Sequence, residues 1–378
     1  MRHLGSTVHS YPPLPSNRSR KLTKCLCTAK PSKPARAPLS VVIVGGTRGL
    51  GRALAREFLL TGDRVLITGR QMSGVAQALV TLRRQTGCQP QMLAGAVADC
   101  SSPRAMASMS DVLLASSQPG PVEIVIACAG VSGGFTAFEE TDACVLQEIV
   151  STTLGGAVLT AHAALRVFAE QRRRGSISRG TLWLLDGAGA DGQSTPMYSA
   201  YGAAKAALRQ LAMSLRAESP ASAAVGIINP GLVVTDLLLE NATQRNKAAF
   251  NVMAELPETA AARLVPRIRA AHGRVATHKK ADVPNLHLLP PSTVALKMVA
   301  YPWTRRRFFD ARGQPTFAPE EARIESLMSK RLGVDRQKAS TCKRQLSTMA
   351  RLASVCGAAA AAGVISVLAQ LQGLPMTG

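Results

Sequence analysis

Val41-Val-Ile-Val-Gly-Gly-Thr-Arg-Gly-Leu-Gly51 is the stretch from which the fold can be read. Four β-branched residues make a strand apolar enough to be buried on both faces. The chain then turns on glycines into the helical pattern of Leu50 to Leu60. Side chains at the glycine positions would block the tight turn and hold the backbone away from a phosphate. The helix N-terminus behind the turn offers oriented N–H donors and a partial positive charge. Arg64–Thr68, Glu123–Ala127, Thr181–Leu185 and Gly226–Asn229 read as further strands, with helices over Glu148 to Ala169 and Ala200 to Glu218. Strand, crossover helix and strand in alternation predict an α/β fold, a doubly wound parallel sheet of the Rossmann kind. One such domain accounts for 39–325, and no internal repeat interrupts it.

Charge and apolar content qualify that picture at both ends. The chain has 378 residues, 46% of them hydrophobic and 18% charged, which is enough apolar material for a sizeable core. Its net charge is +22. Residues 1–38 hold eight Lys or Arg and no acid, are rich in Ser, Thr and Pro, and lack the apolar run of a secretory signal. They read as a plastid or mitochondrial transit peptide, the alternative being a flexible basic leader that is retained. A second basic excess runs over 263–351, including Arg263, Arg267, Arg269, Arg305, Arg307 and Lys330. It has few interleaved aromatics and matches no nucleic-acid module, so an anionic membrane surface is the favoured partner, with solvated charge as the alternative. The uncharged tail is Ala-rich from Leu352 to Leu368 and spans about 25 Å as a helix, a little short for a bilayer. Spanning, lying on the surface and docking on protein all remain open for it. The eight cysteines and six histidines show no ligand spacing, so no metal site is expected and a reducing compartment fits.

Two ends of a site are legible within the domain. After the second strand, where a carboxylate would hold a ribose 2′-hydroxyl, the chain has Arg70, and Arg48 lies in the glycine loop. Two guanidiniums suit a 2′-phosphate, so NADPH is expected rather than NADH. Asp99 follows the presumed third strand and reads equally as an adenine neighbour or a helix N-cap. At the other end, Tyr201-Gly-Ala-Ala-Lys205 places a phenol and an ammonium on one helical face. The cation is expected to bring the phenol's pKa towards the working range. Asn229-Pro230-Gly231 ends a strand and Thr235-Asp236 follows. That bend would present backbone and the Thr235 hydroxyl to a nicotinamide, or it is an ordinary turn and cap.

In this order the motifs resemble the short-chain dehydrogenase/reductase family from Leu39 to Gly231. A narrower likeness, reaching about Glu325, is to the chlorophyll b reductases of the non-yellow-colouring group. It rests on Gly46 to Leu60, Leu185-Asp-Gly-Ala-Gly189, Ser194-Thr-Pro196, Thr235-Asp-Leu-Leu-Leu239, Asn246 to Asn251 and Glu255 to Arg267. The resemblance implies NADPH-dependent reduction of the ring-B formyl group of chlorophyll b, at the stromal face of the thylakoid in the chloroplast. It implies Tyr201 as proton donor, Lys205 as its support and as a ribose ligand, and Ser194 or Thr195 at the carbonyl oxygen. Cofactor contacts would come from Gly45, Thr47, Arg48, Gly49, Leu50 and Gly51, from Arg70 and Asp99, from Ala129 and Gly130, and from Pro230, Gly231 and Thr235. An oligomer is common in the family. A substrate flap is expected over 237–290, with Phe250, Met253, Leu256 and Leu264 as its apolar wall or simply as packing.

The chain departs from the family's pattern in places. Ala188 stands where the wider family has a serine, and Ala127-Cys-Ala-Gly130 stands for Asn-Asn-Ala-Gly. Thr153 replaces the relay asparagine, which keeps a hydroxyl and loses the amide, and Val44 replaces a threonine. Two further functions are therefore carried. One is a cofactor-binding scaffold for an active paralogue or for light-harvesting proteins. The other is a plastid reductase of another carbonyl, such as a 3-oxoacyl thioester.

Overall fold

The computed structural model describes residues 37–115, 120–218, 221–240, 242–278, 283–290, 297 and 307–332. The leader up to residue 36, the apolar tail and much of the basic run (Lys279, Lys280 and Arg305 among it) lie outside them, and with them the segments expected to serve targeting and membrane contact.

The strands are β1 (Ser40–Val44), β2 (Arg64–Gly69), β3 (Leu93–Val97), β4 (Ile124–Ala127), β5 (Gly180–Leu185), β6 (Ala223–Asn229) and β7 (Leu286–His287). They form one parallel sheet in the order β3-β2-β1-β4-β5-β6-β7. Helices α1 (Gly49–Leu60), α2 (Met72–Thr86), α3 (Pro103–Ala115), α4 (Ala143–Arg173) and α5 (Ser199–Glu218) supply the crossovers. Beyond β6 come α6 (Asp236–Leu239), α7 (Gln244–Met253) and α8 (Pro257–Thr277).

The period of two in each strand sorts the core into two halves. Val41 and Ile43 of β1, Ile124 and Ile126 of β4 and Trp183 of β5 face one cluster with Leu54 and Phe58 of α1 and Leu82 of α2. Val42, Val44, Val125, Leu182 and Leu184 face the other, with Met106 of α3, Phe168 of α4 and Leu208 of α5. Strands buried on both faces are why the sequence shows continuous apolar runs rather than alternation. Among the described residues, helix α4 is long and apolar enough to cross a bilayer by length and composition. Ala157, Ala161, Val167 and Phe168 on it are buried in the second cluster, which marks it as a core helix.

In the segment after Gly231, Leu264 and Phe250 follow the packing alternative. Leu264 is fully buried with Ala261, Ile268 and Ala271 in the first cluster, where α8 packs along α1. Phe250 is buried with Val234, Leu238, Phe308 and Phe309 in a small third cluster. Leu264 packs there because an amphipathic 21-residue helix buries its apolar stripe on the nearest open face of the sheet layer, whereas Phe250, on α7, packs with Phe308 and Phe309. Glu255 ties the segment down. Its backbone bridges Leu232 and Val234 at 2.8 and 2.9 Å, and its carboxylate meets Lys297 at 2.7 Å and Arg307 at 3.0 Å. Arg269 pairs with the buried Asp63. Part of the basic excess is thus spent inside the fold. The first compact unit ends at Ala318; the second contains the helix α9 (Glu320–Leu332).

Gly226 of β6 lies beside the fully buried Trp183 of β5, and a Cβ there would sit 2.5 Å from two indole carbons. Gly226→Ala is expected to lose about 1–3 kcal/mol of stability by overpacking. Urea denaturation with an unchanged m-value would register it.

Candidate active site

The sheet order reverses direction at β1, so the crossovers on its two sides diverge, and a cleft of about 530 Å³ opens at the C-terminal ends of the strands. Its floor at one end is the glycine turn. Gly45 has φ +84°, and a Cβ on it would lie 2.6 Å from the backbone of Ala129. Only glycine fits both the conformation and that approach. Thr47, Arg48, Gly49, Leu50 and Gly51 line the cleft, as do Arg70, Ala129, Gly130, Pro230, Gly231 and Thr235. Arg70 donates to Glu148 at 2.7 Å, a half-exposed pair that raises the guanidinium's pKa, mainly through that hydrogen bond. Arg48 reaches Asp236 only at 4.0 Å, with both side chains largely in solvent.

Asp99 is not brought to the cleft wall as its neighbours Ala98 and Cys100 are. Its carboxylate accepts from the Ser101 N–H and hydroxyl at 2.9 and 2.7 Å, capping the turn before α3. The helix itself is capped by Ser102, whose hydroxyl accepts the Ala105 N–H at 3.3 Å, so Asp99 shapes the turn and is not the helix N-cap.

Tyr201 and Lys205 come together in the first turns of α5, facing the end of β5. The ammonium sits 5.4 Å from the centre of the Tyr201 ring and donates to the Leu185 carbonyl at 2.8 Å. Burial pushes the Lys205 pKa down to about 8, against the pull of Cys128 and Asp186. The expected lowering of the Tyr201 pKa is not found. Burial raises it well above the usual phenol range, with Tyr198, Asp186 and Cys128 adding to the effect. Desolvation outweighs an ammonium whose proton is already directed at a backbone carbonyl. Tyr201 therefore keeps its proton at neutral pH, the form a proton donor needs. A Cβ at Gly187 would lie 2.8 Å from the phenol oxygen, so the glycine leaves that oxygen approachable.

The other two proposed catalytic residues fall elsewhere. Ser194 is exposed on the loop before α5 and does not line the cleft, and Thr195 turns its hydroxyl onto the Tyr198 carbonyl at 3.3 Å. Thr153 lies in the π-helical turns Val150–Gly155 within α4, fully buried. Its hydroxyl donates to the Val131 carbonyl at 2.9 Å and accepts the Val131 N–H at 3.0 Å. Its donor and one of its lone pairs are spent holding the loop after β4, which makes this residue a clamp on that loop.

Three residues at the site were given no role by the sequence. Tyr198 packs between Phe135 and Tyr201, with ring centres 4.7 Å from each. Phe135 comes from a loop over 60 residues away, a pairing no local pattern announces. Asp186, a buried carboxylate just past the end of β5, lies in the Leu185-Asp-Gly-Ala-Gly189 segment, which gave it no role; its other signal was a charge closing an apolar strand.

A short chain dehydrogenase family model matches residues 40–246, and the chain belongs to that family. It is 38% identical over 304 residues to the probable chlorophyll(ide) b reductase NYC1, chloroplastic, of Oryza sativa subsp. japonica, covering 76% of this chain and 57% of that one. It is 34% identical over 239 residues to the chlorophyll(ide) b reductase NOL, chloroplastic, of the same plant, covering 62% and 67%. The chain thus spans little more than half the length of the NYC1 protein. Among solved structures, an alcohol dehydrogenase from the archaeon Thermococcus sibiricus complexed with 5-hydroxy-NADP superposes with a TM-score of 0.52 at 21% identity, over 67% of this chain and 96% of that one.

Between pH 8 and the ordinary lysine range, the unfolded chain holds a proton on residue 205 that the folded chain has released. Stability due to this group therefore rises with pH across that window. Relative to Lys205→Met, which cannot titrate, the wild type is expected to gain stability between about pH 8 and about pH 10 in paired thermal melts. A gap that stays constant over that range would refute the depressed pKa.

Proposed function

We infer that this chain is an NADPH-dependent reductase that converts the ring-B formyl group of chlorophyll b to a hydroxymethyl group, the first step from chlorophyll b towards chlorophyll a. The observation that carries the reading is the pairing of a protonated, buried Tyr201 with Lys205 opposite a glycine turn flanked by Arg48 and Arg70. The pigment itself is supported by the likeness to the two plant reductases. The reading places the chain in the chloroplast, at the stromal surface of the thylakoid, with light-harvesting complexes or a paralogous reductase as partners and an oligomer as its working form.

The cleft fits the cofactor by its own geometry. The Gly45 turn admits a pyrophosphate where a side chain would close the space, and Arg70 stands at the end where a 2′-phosphate would lie. When bound, reduced nicotinamide supplies the hydride that reaches the formyl carbon. Tyr201 gives its proton to the oxygen as negative charge develops there, so that hydride and proton together complete the alcohol. Lys205 holds positive charge against the phenolate that results and offers its remaining N–H donors to the nicotinamide ribose. Ala188 brings no hydroxyl to that oxygen, and Thr153 is engaged with Val131, so the proton falls to Tyr201 alone among the family positions.

Thr153 is also what keeps the scaffold reading in view, since a chain with a locked relay position needs less chemistry. An anaerobic assay with NADPH and chlorophyll b, with pigments separated by chromatography, decides between them. The wild type is expected to give the hydroxymethyl pigment, and Tyr201→Phe to lose at least about 100-fold in rate with NADPH binding retained. Cofactor binding without product in the wild type would favour the scaffold. Arg70→Gln is expected to weaken NADPH binding by about tenfold while leaving NADH little changed, measured by nucleotide fluorescence.

A further inference from the structure

The Leu185-Asp-Gly-Ala-Gly189 segment contains a charge that the mechanism above leaves unused. Asp186 follows the last residue of β5, and its side chain is only 1% exposed. A carboxylate so placed costs several kcal/mol unless it is paired and hydrogen-bonded. Its Oδ1 accepts the Gly187 N–H at 2.7 Å. Its Oδ2 accepts from Arg209 Nε and Nη2 at 3.3 and 3.1 Å and from Asn229 Nδ2 at 3.3 Å. Both arginine contacts converge on one oxygen and are long, and the Arg209 side chain is 35% exposed. This is not the parallel two-oxygen fork that would neutralise the carboxylate most fully, and solvent screens the guanidinium.

Tyr201 and Lys205 both feel this negative charge, and Lys205 is the one whose charged form it favours. Lys205 lies on the same helix as Arg209, one turn earlier, and leans on the carbonyl of Leu185, the residue just before Asp186. Around the ammonium stand Tyr201 on its own helix, Cys128 at the end of β4 and Asp186 at the end of β5. Tyr201 is neutral at working pH, and burial pushes the Cys128 thiol up to about 12, so it is neutral too. Asp186 is therefore the full negative charge acting on Lys205 at neutral pH, while burial drives the lysine towards its uncharged form.

We propose that Asp186 is a positioning residue that keeps Lys205 an ammonium through its buried carboxylate, and that Arg209 sets how much of that charge the lysine feels. The proposal rests on the reading of Tyr201 and Lys205 as the reacting pair. It makes the two partners of one ion pair act in opposite directions, which a merely structural pair would not do. Removing Asp186 takes away the support for the positive charge, and removing Arg209 frees more of the carboxylate's field.

Two readouts separate this proposal from the proposed function. The ionisation of Lys205 in the full-length chain is followed without any substrate, by its rate of acetylation with acetic anhydride against pH, read by mass spectrometry. The pH dependence of NADPH-driven chlorophyll b reduction is measured alongside. Asp186→Asn is expected to move the Lys205 midpoint down by about one pH unit, with activity lost near pH 8 and recovered near pH 6. Arg209→Gln is expected to move both profiles up. Midpoints that stay in place, or that move the same way in both variants, would overturn the proposal. If Asp186→Asn fails to fold by thermal melt, Arg209→Gln decides alone: an upward shift supports the proposal and no shift overturns it. A wild type inactive on chlorophyll b would sink the pigment reading but leave the acetylation profiles to judge Asp186.

Discussion

Helices cover every inner strand of this sheet on both faces, and that burial governs where polar chemistry can occur. Side chains along β1, β4 and β5 point into one apolar cluster or the other, so no charge is tolerated within them. Polar groups collect instead where the strands stop. At their C-terminal ends, Gly45, Cys128, Asp186 and Asn229 follow directly on apolar runs. The cleft opens at the same ends because the crossovers diverge at β1. The scaffold thus fixes the place of the site before any catalytic residue is chosen.

The same dry surroundings set the protonation states of Tyr201 and Lys205. Burial holds the proton on Tyr201 and weakens the hold of Lys205 on its own, two consequences of one desolvation. A reductase needs its donor protonated and its supporting cation charged, so the first effect assists and the second opposes. The polar groups just past the strand ends, with Asp186 foremost, decide how far the opposition goes.

Beyond Gly231 the chain does structural work of its own. Helix α8 completes one layer of the core against α1, and Glu255 stitches the Leu232–Val234 loop to Lys297 and Arg307. That loop adjoins Gly231 and Thr235 on the cleft wall. Residues that read as an apolar substrate wall therefore serve, at Leu264 and Phe250, to hold the wall's backbone in place.

What the sequence determined alone is what local pattern can express. The β-branched run 41–44, the glycines behind it and the Tyr201–Lys205 spacing are each contained within a few residues, and they sufficed for the sheet, the glycine turn and the closeness of Tyr201 to Lys205. Arg70 in place of a carboxylate was likewise a single-position fact. Tertiary structure decided whatever depended on which distant groups meet and on how much water remains between them. It closed Thr153 onto Val131, left Ser194 in solvent, stacked Phe135 on Tyr198 and sank Leu264 into the core. It also reversed the expected direction for Tyr201, because the motif shows the neighbouring charge but not the desolvation. Desolvation belongs to the packed whole, and no spacing along the chain encodes it.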